Sequence, residues 1–135
     1  MMNLNQATDY ALRAVLYLAN KPRGEVVEAQ EIAHRQVVPM RFLLKIMPSL
    51  IRAGIVKSKR GVGGGYYLAK TPQDITFLDV VEAIEGPLTI NRCLADDEYC
   101  SRQGTPNCQV HRALAAVQQK LAAELKRHHF GDLNH

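Results

Sequence analysis

Apolar residues recur at helical spacing in several segments of the chain, and turn-forming residues separate those segments. We expect helices over residues 4–19, 28–35, 39–53, 76–84 and 109–127, with Thr76 capping the fourth. Proline and glycine between the segments support these boundaries, because proline suits the first turn of a helix and glycine suits the residue after its last turn. The pattern predicts a mainly α-helical fold.

Residues 55–70 depart from the helical pattern, because two short runs of β-branched and aromatic residues flank a glycine-rich tip. The first predicted strand begins at Ile55, and the second spans residues 66–68. Three helices followed by a hairpin is the element order of a winged helix–turn–helix. In that fold the third helix enters the DNA major groove, and the hairpin, or wing, contacts the adjacent backbone or minor groove.

The third predicted helix has an apolar side and a basic side. The residues that we expect to point inward are Leu43, Ile46, Met47 and Leu50. Arginine can bind guanine through two hydrogen bonds and lysine can reach guanine or phosphate, so the basic side suits DNA. Pro48 lies within this helix and should kink or loosen it, since proline donates no backbone hydrogen bond. The predicted DNA-contacting residues of helix and wing are Arg41, Phe42, Lys45, Arg52, Lys59, Arg60, Gly61 and Gly63.

The last predicted helix carries a narrow apolar stripe with spacings of three and four residues, as in a coiled-coil seam. Its members are Val110, Leu114, Val117, Leu121 and Leu125. The stripe could pack on its own domain, but so narrow a stripe on a terminal helix favours a second copy of the chain. We therefore expect a homodimer, with a polar, histidine-containing tail exposed beyond residue 127.

Length and charge narrow the function. A chain of 135 residues fits one domain with an added arm. It shows no apolar run long enough for a bilayer and no signal-peptide pattern, so we expect a cytoplasmic protein without a membrane partner. Residues 32–73 carry eight lysines and arginines and no acidic residue. A solvated surface would explain this charge, but so uneven a distribution favours binding to a polyanion such as double-stranded DNA.

All three cysteines lie close together among loop-forming residues, at Cys93, Cys100 and Cys108, and His111 follows. An odd number of thiols in a reducing compartment argues against a disulfide framework. Thiolates bind iron–sulfur clusters, and three cysteines with one histidine can also bind zinc, so the residues alone leave both open. A thiol enzyme that uses Cys108 and His111 would lack an orienting acid and an oxyanion site, so we expect no enzymatic activity.

Two stretches and the cysteine segment carry a family resemblance. ATDYALRAVLYLA at residues 7–19, LIRAGIVKSKRGVGGGYYLAK at residues 50–70, and three cysteines before an amphipathic helix resemble the Rrf family of bacterial winged-helix transcription regulators, in its iron–sulfur-binding branch. The resemblance covers nearly the whole chain. It implies a dimer joined by the C-terminal helix, a palindromic operator, and a regulator or repressor that responds to nitric oxide, redox state or iron status through its cluster. A zinc- or thiol-switch-dependent DNA-binding regulator is the alternative.

The resemblance also implies the cluster ligands. Cys93, Cys100 and Cys108 would supply three of them. His111 as the fourth ligand implies a [2Fe–2S] cluster, whereas Asp9 of the partner subunit implies a [4Fe–4S] cluster.

The implied domains are a winged helix–turn–helix over residues 1–86, a cysteine loop over 87–109, and a dimerisation helix with its tail over 110–135. The start of the third helix departs from the polar pattern of the family's iron–sulfur regulators, having Arg41, Phe42 and Leu44. Promoter specificity should therefore differ from theirs.

Overall fold

The computed structural model describes residues 5–88 and 109–133 of the chain. Its helices in these ranges are α1 Gln6–Ala19, α2 Ala29–Gln36, α3 Met40–Arg52, α4 Phe77–Glu85 and α5 Gln109–Arg127. Each coincides, to within about two residues, with a predicted segment. The mainly helical prediction is confirmed, and none of these helices is long and apolar enough to cross a membrane.

The predicted hairpin is also confirmed. Strand β1, Val56–Lys59, pairs antiparallel with β2, Gly65–Leu68. The free edge of β2 is partly covered by Val27, whose N–H donates to the Tyr66 carbonyl at 2.8 Å and whose carbonyl accepts from the Tyr66 N–H at 2.8 Å. A Cβ on Gly65 would lie 2.2 Å from the Val27 carbonyl oxygen, so this pairing requires glycine.

Helix α1 lies at the centre of the fold and packs against α2, α3, α4 and β2. Its alanines Ala11 and Ala14 are completely buried, and small side chains at these positions let the neighbouring helices approach closely. The fully buried side chains around them include Val15, Ile32, Leu43, Met47, Leu50, Val56 and Val80. One continuous apolar core therefore joins the first three helices to the wing.

Helix α3 buries the four residues that the sequence assigned to its inner side, Leu43, Ile46, Met47 and Leu50. Pro48 is exposed, and the helix runs through it from Met40 to Arg52 without interruption. The proline ring lies on the outer side, so its main effect is to leave the Leu44 carbonyl without the helical N–H that residue 48 would otherwise donate.

Helix α4 begins at the predicted cap, Thr76. The Thr76 hydroxyl accepts a hydrogen bond from the Asp79 N–H at 3.1 Å, and the Asp79 carboxylate accepts one from the Thr76 N–H at 3.0 Å. This reciprocal pair satisfies two backbone donors that a helix start leaves open. Helix α4 packs on α1 and α3 on one side and on α5 on another, so it links the winged domain to the C-terminal helix.

The chain after α5 turns back onto the winged domain, which the polar tail composition did not predict. The Phe77 N–H donates to the His128 carbonyl at 2.9 Å, and the Phe130 N–H donates to the Ile75 carbonyl at 3.0 Å. Phe130 is 1% exposed, and its ring centroid lies 5.0 Å from that of Phe77. His128 is exposed as expected, but the tail as a whole is docked and contributes to the core.

Candidate DNA interface and cysteine segment

The outer side of α3 combines cationic and apolar residues. Arg41, Leu44, Lys45 and Pro48 are all exposed, and their spacing of three, four and seven residues places them on one face. Arg52 is exposed one turn beyond Pro48 and donates to the Ser49 hydroxyl at 3.1 Å. The predicted cations of this helix are thus available to a ligand that approaches from the side opposite the core.

Phe42 occupies a different place from the other predicted DNA contacts. It is half-buried against the core, and its ring centroid lies 5.8 Å from that of Tyr10 on α1. The Arg41 guanidinium carbon lies 5.0 Å from the Phe42 ring centroid. Phe42 therefore anchors the start of α3 and supports Arg41. Leu44, which was not among the predicted DNA contacts, is 51% exposed on the outer face.

The turn between α2 and α3 fixes the entry of the third helix. Val37 adopts a left-handed conformation, with φ 54° and ψ 51°, and reverses the chain direction at the end of α2. The preceding carbonyl, that of Gln36, accepts a hydrogen bond from Arg13 on α1 at 3.0 Å. The same guanidinium pairs with Asp9 at 2.5 Å, so one arginine connects α1 to the helix–turn–helix turn.

A second cluster holds α2 against α1. The Glu31 carboxylate accepts a hydrogen bond from the Tyr17 hydroxyl at 2.5 Å and pairs with the Lys21 ammonium at 2.8 Å. Lys21 is the largest cause that lowers the pKa of the Glu31 carboxyl, and Tyr17 is the next. The same carboxylate raises the pKa of Lys21 and of the Tyr17 phenol. These contacts orient the helix that precedes the recognition turn.

The tip of the wing presents basic side chains on a tight glycine turn. Lys59 and Arg60 are exposed, and the Gly64 N–H closes the turn by donating to the Gly61 carbonyl at 3.0 Å. Gly61 and Gly63 have φ values of 91° and 75°, which side chains rarely adopt, and a Cβ on either would point into open space. The backbone of the tip can therefore approach a ligand closely.

The eight cations of residues 32–73 all lie at the surface. They are Arg35, Arg41, Lys45, Arg52, Lys57, Lys59, Arg60 and Lys70. Within residues 5–88 and 109–133, the ion pairs involve other cations, Arg13, Lys21, Arg127 and His128. The basic groups of α3 and the wing are thus not neutralised by the described carboxylates, as expected for a surface that binds phosphate.

Cys93, Cys100 and Cys108 lie outside the described residues, so the prediction that they form a metal site stays a prediction. His111 is half-buried in the first turn of α5, and Asp9 is exposed in the first turn of α1 with Arg13 as its ion partner. In the described part of the chain, no cluster of three histidine, cysteine or carboxylate side chains could hold a metal ion. Imidazole and carboxylate are both able to complete a three-thiolate ligand set, so the chemistry of the donors fits a cluster.

Comparison with known protein families decides the class of protein. A family model for Rrf2, described as an iron-dependent transcriptional regulator, matches residues 4–135. The chain belongs to the Rrf2 family. It is a winged-helix transcription regulator and not an enzyme, which confirms the family and the expectation of no enzymatic activity. Membership of the iron–sulfur-binding branch stays a prediction.

Solved structures agree with this assignment. The global cysteine regulator CymR of B. subtilis superposes with a TM-score of 0.75 at 28% identity, with 98% of this chain and 96% of that chain covered. IscR of T. potens gives 0.71 at 25% identity, covering 98% and 85%. A transcriptional regulator from Listeria innocua gives 0.76 at 26% identity, also covering 98% and 85%.

Proposed function

We propose that this Rrf2-family regulator is a cytoplasmic homodimer that binds a palindromic operator and whose operator affinity is controlled by an iron–sulfur cluster. The observation that carries the DNA-binding part is the exposed, acid-free set of cations on α3 and the wing. These are the two elements of a winged helix that contact DNA. The iron-dependent description of the family and the three thiols before α5 support the cluster.

The proposed DNA contacts follow from the exposed groups. Arg41 and Lys45 at the start of α3 would bind base edges, with Arg52 on the adjacent backbone. Lys59 and Arg60, with the close backbone approach at Gly61 and Gly63, would bind the phosphates beside the minor groove. Phe42 would act indirectly, because its packing on Tyr10 fixes the position of Arg41.

The proposed cluster ligands are Cys93, Cys100 and Cys108, with His111 as the fourth ligand and Asp9 of the partner subunit as the alternative. Asp9 is already paired with Arg13, and this pair would have to separate before the carboxylate could bind iron. When bound, the cluster would supply iron atoms able to react with nitric oxide or oxygen. A fourth ligand other than thiolate is easier to displace and would favour such a reaction.

The position of the cysteines explains how the two functions would be coupled. Segment 89–108 connects α4 to α5, and these two helices pack on each other. Helix α4 also packs on α3. A change in the connecting segment could therefore shift the DNA-contacting helix through α4 alone. Coupling between two binding sites is typically about 1–3 kcal/mol, which is about a 5- to 150-fold change in affinity.

The proposal is tested by anaerobic purification of the full chain, with an absorption spectrum and assays of iron, sulfide and zinc on one sample. Iron with acid-labile sulfide supports the cluster. Stoichiometric zinc, or metal-free protein after attempted reconstitution, would instead support the zinc or thiol-switch alternative. Iron content is then measured for His111→Ala and Asp9→Asn, and the variant that loses iron identifies the fourth ligand.

Control of DNA binding by the cluster requires a second measurement. A variant in which all three cysteines are replaced by alanine should differ from the iron-loaded protein in operator affinity by about 5-fold or more. Equal affinities would reject control by the cluster, while leaving DNA binding by α3 and the wing intact.

A further inference from the structure

The exposed face of α3 holds an apolar side chain next to cationic ones. Leu44 is 51% exposed, three residues after Arg41 and one before Lys45. Residues three and four apart are neighbours on a helix surface, so Arg41, Leu44 and Pro48 form one continuous strip. Because Phe42 packs inward on Tyr10, Leu44 is the large apolar side chain exposed in the first turns of this face.

A single exposed leucine usually needs no explanation, but the surroundings of Leu44 are unusual. Every charged residue within residues 32–73 is a cation, so no carboxylate of this segment would repel a nucleic acid. Pro48, one turn further on, extends the apolar area, although a proline inside a helix costs about 3 kcal/mol. A strip that is apolar and cationic, without acids, matches the DNA major groove, where thymine methyl groups lie beside guanine acceptors and phosphates.

We propose that Leu44 contacts the C5-methyl group of a thymine in the major groove and thereby selects an A·T pair in each operator half-site. This inference rests on the proposed DNA binding and adds a specificity residue to it. Arg41 and Lys45 would bind guanine or phosphate, and Leu44 would discriminate at a neighbouring base pair. The methyl group is displayed in the major groove alone, so the same contact specifies which groove α3 enters.

Removal of the methyl group from DNA tests the contact directly. The full-length protein would first select its operator from a pool of random duplexes. Each thymine of the selected half-site would then be replaced singly by deoxyuridine, which lacks only the methyl group, and affinity measured by fluorescence anisotropy at constant salt. One thymine position should lose about fourfold in affinity per half-site, the effect of burying one methyl group.

Variants connect that thymine to Leu44. Leu44→Ala should bind the unmodified operator more weakly by at least this factor and should no longer respond to deoxyuridine at the same position. Ile51→Ala is the matched control, because Ile51 is 37% exposed on the same face, two turns further from the start of α3. It should retain the full response to deoxyuridine.

A second selection checks the assignment without relying on affinity loss. Leu44→Gln keeps a helix-forming side chain of similar length, and it should still enrich an operator while losing the preference for thymine at the assigned position. Circular dichroism would verify that each variant keeps the helical content of the parent protein.

The outcomes separate this inference from the proposed function. A selected operator in which no thymine responds to methyl removal, or a Leu44→Ala variant that responds like the parent, overturns the leucine contact alone. A protein that prefers no duplex at all overturns operator binding and the leucine contact with it.

Discussion

Val37 is the residue at which the backbone of the helix–turn–helix is strained. It is β-branched, has φ 54° and is 78% exposed. A left-handed conformation costs an ordinary residue about 1–2 kcal/mol, and so exposed a side chain gains little from packing. The strain lies at the turn that sets the direction of α3, beside the Gln36 carbonyl held by Arg13.

Val37→Gly should therefore raise the free energy of unfolding by about 0.5–1 kcal/mol, because glycine adopts this conformation without strain but gains entropy in the unfolded chain. Urea denaturation at a fixed protein concentration measures the change. Gln36→Gly is the control, and it should lower stability by about 0.5–1 kcal/mol since residue 36 is helical. A Val37→Gly variant less stable than the parent would show that the backbone at Val37 is not strained.

Glu31 gives the protein a pH-dependent contact between α1 and α2. Its pKa is lowered in the folded state, mainly by Lys21, so its stabilising effect is present above the unfolded pKa and is lost as pH falls through the folded pKa. Glu31→Gln should lower the thermal unfolding midpoint at neutral pH, and the difference from the parent should disappear on acidification. Most of this pH dependence should vanish in a Lys21→Gln background. A difference in unfolding midpoint that persists below the lowered pKa of Glu31 would contradict this pH-dependent contact.

At the scale of elements, the chain after α5 packs on the winged domain and forms part of its core. Two backbone hydrogen bonds connect it to the start of α4, and Phe130 is buried beside Phe77. Because α5 lies between α4 and this tail in the chain, both ends of the C-terminal unit are tied to the winged domain, one through segment 89–108 and one through the tail. A displacement of α5 would therefore also displace α4.

Phe130→Ala should lower the free energy of unfolding by about 3–5 kcal/mol, since it removes a buried aromatic ring and leaves a cavity. Chemical denaturation followed by circular dichroism measures this. Phe130 begins a short 3₁₀ helix, Phe130–Leu133, in which Asp132 is exposed. Asp132→Ala is therefore the control and should change stability by less than about 0.5 kcal/mol. A cost below about 1 kcal/mol for Phe130→Ala would mean that the tail is not docked in solution.

At the scale of the whole molecule, α5 carries the surface that the proposed homodimer would use. None of its residues is buried, and Val110 and Val117, two members of the predicted stripe, are 58% and 53% exposed. Leu114, Leu121 and Leu125 are only partly exposed. Helix α5 contacts α4, so the helix packs on its own domain on one side and keeps apolar residues exposed on another.

Val117→Glu should shift the proposed dimer towards monomer, because the interface would have to bury a carboxylate without a partner. Sedimentation equilibrium at several concentrations measures the shift, which should be at least tenfold in the dimer dissociation constant. Gln119→Glu adds the same charge two residues away, on the opposite side of α5, and should leave the equilibrium unchanged. Equal effects of both substitutions would show that the apolar stripe of α5 is not part of the dimer interface.

The wing should contribute to DNA affinity through charge rather than sequence. Replacing Lys59 and Arg60 together by glutamine should reduce the slope of log affinity against log salt by about 1.8, because each phosphate contact contributes about 0.9. Titrations at several salt concentrations measure the slope. Lys120 and Lys126, both exposed on α5, provide a control pair whose replacement should leave it unchanged. An unchanged slope in the wing variant would place its cations away from the phosphates.

The sequence by itself determined the helices, the hairpin, the cap at Thr76 and the inner side of α3, because periodicity, capping and turn chemistry act between residues close in the chain. It also determined the family, through the wing and the segment that contains Asp9. Tertiary structure decided which side chains of α3 face outward: Phe42 packs on Tyr10 and Leu44 does not.

Tertiary structure also decided the pairing of Val27 with β2 and the burial of Phe130. Both contacts join residues far apart in the chain, and a single paired residue or a single phenylalanine in a polar tail leaves no periodic pattern. Local rules fix the elements of this protein, whereas its DNA-facing surface depends on which apolar residues the core has room to bury.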